Sequence, residues 1–582
     1  MNDPSQPESP KFPESENSSA GTPEVIGLEH DEAGSIAGET VVQVGDAGAP
    51  APGPKDELDK SSGRGAFFVG AGILISRIVG LLRQRAFSHY FGASAAADAF
   101  SAAFRIPNFL QNVFGEGALS ASFIPIYSKL LAQEDKKEAA HVAKAVLGLL
   151  ALITSVVVAA GVFGAPLLID IIAAGFEDER RELTIRIVRI LFPGAGLLVL
   201  SAWCLGILNS HHRFFLSYTA PVAWNLAIIA SLLMFGGWVA DSRLAEIVAW
   251  GAVIGSALQF GVQLPTVFKL VHRLRPVIDI ANIHMRKVLT NFFPVFMSRG
   301  VIQISAFVDE MIATFLPQGA VAALSYSQSL YTLPVSLFGM SVSAAELPAM
   351  SRALGTTEEV AAVLRKRLDA GLQRIAFFIV PSAIAFFALG DVMAGALYQS
   401  GKFQAAETIY VWGILAGSSV GLLASTLGRL YSSTYYALRD TRTPLFYAMI
   451  HVALATILGY LCALPLPRYL GIAPRWGVVG LTLSASIAAW IEFVLLRKTL
   501  NRRIGRTGLP VAYLIKLWAA AAVCAGIGWA LKLSLGSLHP IPLAAIVLGG
   551  YGTAYFGLTF LAGIAESRAV VGKILRMLRL AK

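Results

Sequence analysis

From Gly65 onward the chain repeats one pattern: an apolar stretch of about twenty residues or more, then a short charged loop. A helix rises 1.5 Å per residue, so about 20 apolar residues cross a hydrocarbon core near 30 Å thick. Fourteen such stretches lie at roughly 68–92, 98–126, 142–172, 185–208, 217–238, 245–271, 287–315, 320–349, 367–389, 407–436, 445–464, 475–497, 511–533 and 541–564. The second, eighth and tenth are interrupted by Pro or Gly and by polar residues. The expected fold class is an all-α polytopic membrane protein with about 14 transmembrane helices.

Composition agrees, since only 14% of residues are charged against roughly 25% in soluble proteins. That deficit excludes a cytosolic enzyme, a disordered scaffold and a nucleic-acid binder. The net charge of +10 averages two unlike regions. Residues 1–64 hold 13 acidic and four basic side chains, whereas the remainder holds 24 acidic and 43 basic. Residues 1–64 are rich in Pro, Ser, Glu and Gly and have no apolar h-region, so we expect a disordered acidic tail and no signal peptide. Cys204, Cys462 and Cys524 lie far apart inside apolar stretches, and the nine histidines form no ligand cluster, so no metal site is expected. No nucleotide loop or nucleophile elbow is present either. A transporter fits better than an enzyme.

Lys/Arg asymmetry in short loops sets the orientation. Loops after even-numbered spans carry Lys129, Lys136, Lys137 and Lys144; Arg273 and Arg275; Arg365, Lys366 and Arg367; and Arg439 and Arg442. The loop at 497–506 and the C-terminal segment are basic as well, while the opposite loops are nearly devoid of cations. Both termini are therefore predicted to be cytoplasmic.

An internal repeat runs through the body. Ser120-Ala-Ser-Phe-Ile-Pro125-Ile-Tyr-Ser-Lys129 returns as Ser343-Ala-Ala-Glu-Leu-Pro348-Ala-Met-Ser-Arg352, an offset of 223. Ser76-Arg77 pairs with Ser298-Arg299 at 222, and Ala220-Pro221 with Thr443-Pro444 at 223. The unit spans six helices, so both copies share one orientation, the arrangement that places a substrate path between two lobes. The expected organisation is a tail over 1–64, lobes over 65–285 and 286–505, two additional helices over 506–565, and a basic cytoplasmic tail over 566–582.

An ionised group at a helix centre in the bilayer costs at least about 2.5–3.5 kcal/mol. The first span nevertheless carries Arg77, Arg83 and Arg85, and the second Asp98, Arg105, Asn108 and Glu116. Two readings stand: structural ion pairs and interfacial anchors, or an excess of guanidinium in a wet cavity, suited to an anionic cargo. Pro107, Gly115, Gly117 and Pro125 likewise suit either a packing kink or a mobile, cavity-lining helix. In the seventh span Arg299 precedes the pair Asp309-Glu310. Asp309 is a candidate ion-coupling site, or else part of a local ion pair.

The stretch Ser76-Arg77-Ile-Val-Gly80-Leu-Leu-Arg83, Phe91-Gly92, Asp98-Ala-Phe100, Phe104-Arg105-Ile-Pro107-Asn108 and Gly115-Glu116-Gly117-Ala-Leu-Ser120 resembles the MurJ (MviN) lipid II flippase family. Gly401-Lys402-Phe403 and Arg439-Asp440-Thr441-Arg442-Thr443-Pro444 add to the likeness, which covers about residues 65–565. The resemblance implies the MOP exporter fold, a MATE-like V of two six-helix lobes around a central cavity plus two C-terminal helices. It implies flipping of an undecaprenyl-pyrophosphate-linked peptidoglycan precursor across the bacterial inner membrane by alternating access. Carried over by position, Ser76, Arg77, Arg83, Asp98, Asn108 and Glu116 become candidate substrate-binding residues, joined by Arg105 where the family is often basic. Three positions depart from the family pattern: Gln111 and Ser329 stand where arginines are usual, and Gln84 where an acid often follows Arg83. Arg85, Arg105 or Arg299 then becomes the candidate replacement for the missing charge. No cofactor is expected, and Na⁺, H⁺ or the membrane potential is the expected driving force. Alternatives are another MOP-type flippase or exporter, for polysaccharide-lipid or drug, and a non-transporting scaffold for cell-wall synthesis proteins.

Overall fold

The computed structural model describes residues 55–271, 275–353 and 355–580, with side chains described except at 55–71, 73, 115–117, 294–295, 297–306, 573–575 and 577–580. The expected tail over 1–54 and the side chains of Glu116 and Arg299 lie outside that description.

The described chain is helical throughout. The first repeat comprises α1 (Lys55–Phe91), α2 (Ala95–Leu110), α3 (Ser120–Ala132), α4 (Lys136–Phe163), α5 (Ala165–Ile172), α6 (Asp178–Ser210), α7 (Phe214–Phe235) and α8 (Asp241–Val271). The second runs from α9 (Ile283–Thr314) through α10 (Ala320–Pro334), α11 (Ser341–Ser351), α12 (Thr357–Tyr398), α13 (Ala405–Ala437), α14 (Arg442–Ala463) and α15 (Pro465–Tyr469) to α16 (Gly477–Ile504). After it come α17 (Val511–Ser534), α18 (Pro540–Leu561) and α19 (Ala565–Leu580). Among the described residues eleven helical rods are long and apolar enough to cross a membrane. The α1 helix, the α2–α3 rod and α9 coincide with the remaining three expected spans and carry the charges singled out above. The protein is a multi-pass membrane protein.

The repeat seen in the sequence reappears as a backbone irregularity. A π-helical segment, Gln111–Leu119, joins α2 to α3, and another, Val335–Met340, joins α10 to α11. Pro107 and Pro125 flank the first, Pro334 and Pro348 the second. A proline inside a helix removes one N–H and crowds the carbonyl four residues earlier, and a wider turn re-satisfies the freed groups. Both copies solve the same local problem in the same way.

In the first repeat α6 packs on α2, α4 and α8, and α7 on α1 and α8. In the second, α13 packs on α10, α12 and α16, and α14 on α16. Lipid offers no hydrophobic drive between apolar helices, so close approach at small residues must supply the packing. A Cβ at Gly421 would lie 2.6 Å from Ser486 Cα, and one at Gly480 would lie 2.4 Å from the Cys462 carbonyl. Large apolar side chains such as Leu167, Leu233, Met234 and Ile457 point outward instead. The two repeats meet where α9 lies against α3 and the first π-helical segment, where α10 meets α2, and where α12 meets α1.

Several boundaries differ from expectation. The α1 helix starts at Lys55, ten residues inside the expected tail, where Asp56 and Lys60 stand four apart as a helix favours. The third expected span breaks at Gly164, because Pro166 starts a new short helix. The α12 helix runs for 42 residues, well beyond a bilayer, because a Thr356–Glu359 capping box starts it among charged residues. The expected basic tail forms α19.

Between the repeats, residues 275–282 lie along α4. The Val277 amide donates to the Lys144 carbonyl (3.3 Å), and Asn282 Nδ2 donates to Glu138 Oε1 (2.7 Å). His141 Nε2 lies 2.8 Å from Asp279 Oδ2. The hydrogen bond with His141, aided by the Asn282 amide, holds the Asp279 carboxyl below its ordinary value. A depressed carboxyl contributes stability above its unfolded value and loses it as pH falls through the folded one. Acidification through the carboxylate range should therefore loosen this strap first, read as faster trypsin cleavage at Arg275 while the helical core stays intact; Asp279→Asn should be loose at neutral pH.

Candidate functional site

Helices α1, α2, α7 and α10 enclose a cavity of about 200 Å³. The second helix presents Phe100, Phe104 and Asn108 on one stripe, four residues apart, with Ser101 and Arg105 beside them. Arg83 and Gln84 enter from α1, Ile228 from α7, and Ser325 and Ser329 from α10, so both repeats contribute.

Arg83 is held by aromatic faces. Its guanidinium lies 5.1 Å from the centroid of Phe104 and 5.5 Å from that of Trp224. Phe104 stacks on Trp224 at 5.2 Å and 9°, and Phe100 stacks on Phe104 at 5.2 Å. Trp224 is itself fixed, because its indole N–H donates to the Ala252 carbonyl (3.1 Å). Gly255 lets α8 approach it: a Cβ there would sit 2.8 Å from the Trp224 carbonyl. A desolvated cation–π contact is worth about 2 kcal/mol, comparable to the lower insertion cost of one arginine. Among the described residues no carboxylate pairs with Arg83.

Arg105 stands differently. It forms an ion pair with Glu310 of α9, which is buried. Asp309, the neighbouring residue, is half-buried and lies in the field of both Arg105 and His451. The charge of Arg105 is locally balanced, and that of Arg83 is not.

Asp98 and Arg85 serve helix ends across the two repeats. Fully buried Asp98 accepts hydrogen bonds from the amides of Gly319 (2.7 Å) and Ala322 (2.8 Å), at the N-terminus of α10. Arg180 approaches it at 3.5 Å. The first turn of a helix leaves amides without intrahelical partners, so a carboxylate is well placed there. Arg85 Nη1 donates to the carbonyls of Ala396 (2.6 Å) and Leu397 (3.2 Å), near the C-terminus of α12. Arg77 is exposed beside Leu74 and Ile78, and Ser76 is half-buried; neither lines the cavity. Of the candidates, then, Arg83, Arg105 and Asn108 converge, Asp98 and Arg85 fasten helix ends, and Ser76 and Arg77 lie apart. Two departures from the family pattern, Gln84 and Ser329, line the cavity itself.

The same end of the molecule carries a second set of fastenings. Gly92 (φ +56) and Gly401 (φ +55) interlock: a Cβ on Gly92 would meet the Lys402 carbonyl at 2.7 Å, and one on Gly401 the His89 carbonyl at 2.4 Å. The Lys402 amide donates to that His89 carbonyl (2.9 Å), and the Lys402 ammonium pairs with Asp241. Tyr326 Oη donates to the Gly92 carbonyl (2.8 Å), and Phe403 is packed against Tyr326 and Tyr398. Together these contacts close the cavity at this end.

Sequence reasoning missed Trp224 and Glu310 as partners of the arginines. The i, i+4 spacing of Phe100, Phe104 and Asn108 could have revealed the stripe, but no local signal ties Trp224 to Arg83. Asp98→Ala leaves two buried amides unpaired, at about 1–3 kcal/mol each when nothing replaces the acceptor. We expect it to unlatch this end, measured as a several-fold faster reaction of an engineered cysteine at Ser325 with a membrane-impermeant maleimide; Ser76→Ala should leave that rate unchanged.

Comparison with known proteins places these features. The profile of the lipid II flippase MurJ family matches residues 87–548. The lipid II flippase MurJ of Burkholderia cenocepacia is 30% identical over 507 residues, covering 84% of this chain and 95% of that protein. A probable lipid II flippase MurJ of Rhizobium tropici is 31% identical over 441 residues, covering 75% and 80%. A solved lipid II flippase MurJ in an inward closed conformation superposes with a TM-score of 0.70 at 26% identity, covering 85% of this chain and 98% of that one. An inward-facing multidrug resistance MATE family transporter of the MOP superfamily superposes with a TM-score of 0.58 at 16% identity, covering 73% and 95%, a likeness of fold alone.

Proposed function

Because the chain belongs to the lipid II flippase MurJ family, we propose that it carries lipid II from the cytoplasmic to the periplasmic leaflet of the bacterial inner membrane, gripping the pyrophosphate in the cavity at Arg83. It is a transporter and not an enzyme: the cargo is moved without covalent change. The observation that carries the assignment of the grip is the state of Arg83, a guanidinium without a carboxylate partner among the described residues, aimed into a cavity that both repeats line.

A guanidinium fork binds phosphate oxygens bidentately and stays charged at every relevant pH. Aromatic faces position that fork without neutralising it, so its hydrogen-bond donors stay available for an anion. Arg105 can add a second contact only by exchanging Glu310 for phosphate. Asn108, Ser101, Ser325 and Ser329 supply uncharged hydrogen-bonding groups for the adjoining sugar. The cavity volume of about 200 Å³ accommodates a pyrophosphate but not a glycopeptide headgroup. Pockets that enclose drug-sized ligands already run to about 300–1,000 Å³. Loading and release therefore require the repeats to move apart.

Loops rich in Lys and Arg place the ends at 133–135, 272–282, 352–356 and 438–441 in the cytoplasm, with both termini. The latch formed by Asp98, Gly92, Gly401 and Lys402 then faces the periplasm. On this assignment the structure is closed toward the periplasm, and breaking the latch is the step that delivers the cargo outward.

The uncharged Gln84 and Ser329 in the cavity favour one second reading, a flippase for another lipid-linked cargo. Complementation decides between them: the wild-type protein should restore growth to cells depleted of their own lipid II flippase, and failure of well-inserted protein rejects the lipid II assignment. Within that assay Arg83→Glu should abolish rescue and lower lipid II flipping in vesicles by at least about a hundredfold while membrane insertion is unchanged. Arg105→Gln should reduce flipping less, because Glu310 already holds that arginine in the empty cavity.

A further inference from the structure

The second repeat holds a titratable cluster that plays no part in gripping the cargo. His451 of α14 has Nδ1 2.8 Å from Oε2 of Glu492 on α16, each side chain about a quarter exposed (25% and 22%). Asp309 of α9 lies in the field of the same imidazole. Tyr436 of α13 lies in the field of Glu492 and of Arg429, also of α13. The groups facing His451 are thus Glu492 from α16, Asp309 from α9, and Arg429 and Tyr436 at longer range from α13. Two carboxylates from two different helices surround one imidazole, inside rods that cross the membrane.

We propose that His451, with Glu492 and Asp309, is a membrane-embedded proton-binding site whose occupancy sets the position of α9 against Arg105. Imidazole is the one side chain whose ordinary proton exchange falls in the neutral range. A proton on it gives the two carboxylates a shared counter-charge and draws α9 and α16 toward α14. Without that proton Asp309 and Glu492 repel, and α9 loses its tie. The consequence reaches the cavity because the next residue on α9, Glu310, is the one that pairs with Arg105. Consecutive helical residues point about 100° apart, so Asp309 addresses the cluster while Glu310 addresses the cavity. A small rotation of α9 then trades one contact against the other. Proton binding and release of Arg105 for an anion become linked, and such linkage is reciprocal. The proton site stands on the geometry of His451, while its link to cargo rests on the flippase reading above.

The test uses full-length protein in nanodiscs without cargo, spin-labelled at Lys129 on α3 and Thr290 on α9, with distances recorded between pH 5.5 and 8.5. Wild type should change its distance distribution with a one-proton midpoint. His451→Gln should abolish the change, and Glu492→Gln should lower the midpoint by at least one unit, about tenfold in proton affinity, since an opposite charge this close shifts affinity by one to three units. The proposal is overturned if His451→Gln keeps the wild-type pH response, or if wild type responds to Na⁺ at fixed pH and not to protons. Should His451→Gln fail to fold, an unchanged midpoint in Glu492→Gln overturns it equally. Arg83→Glu should keep the pH response while losing flipping, so failure of the proton site and failure of the flippase reading give different results.

Discussion

A charge placed among lipid chains must be solvated by the protein itself, and the arrangement of this molecule follows from how each embedded charge meets that demand. Arg83 meets it with two aromatic faces, Arg105 with the Glu310 carboxylate, Asp98 with two helix amides and Arg85 with two helix carbonyls. These solutions are not equivalent. Ion pairing cancels a charge, and helix-end contacts consume its hydrogen-bonding capacity. An aromatic face leaves both largely in place. That difference separates the group able to receive an anion from those that hold the fold together.

The helix-end contacts also explain how a latch can be firm and still reversible. Asp98 and Arg85 sit on α1 and α2, yet their partners are the ends of α10 and α12. Each contact bridges the repeats and is confined to one end of the molecule. A few hydrogen bonds and two interlocked glycine turns hold that end shut, while the bodies of the helices keep their own packing. Separation of the repeats thus breaks a small, discrete set of contacts, as expected of a two-state element. The α9 helix has a special place in such a motion, because it touches the cavity through Glu310 and the second repeat through Asp309.

Much of the architecture was legible in the chain alone. Apolar stretches of bilayer length mark the helices, and the offset of 223 marks the duplication, which returns as π-helical segments flanked by prolines at Pro107/Pro125 and Pro334/Pro348. Boundaries were less legible where charge and apolarity disagree: α1 and α12 extend far past their apolar cores, because capping and charge spacing propagate helix into water. Within the candidate site, Arg83, Arg105 and Asn108 were recognisable as polar groups inside apolar helices, whereas Asp98 and Arg85 carry the same signature for a different reason. Composition cannot separate a charge that awaits a ligand from one that caps a helix two hundred residues away.

Local patterns therefore determined that this is a duplicated, multi-pass helical protein with cationic side chains in its leading spans, because bilayer thickness and the cost of buried charge act on each segment separately. Only the tertiary structure decided which arginine keeps its charge available, since that depends on Trp224, Glu310 and the ends of α10 and α12, partners brought within a few ångströms by helix packing and not by spacing along the chain.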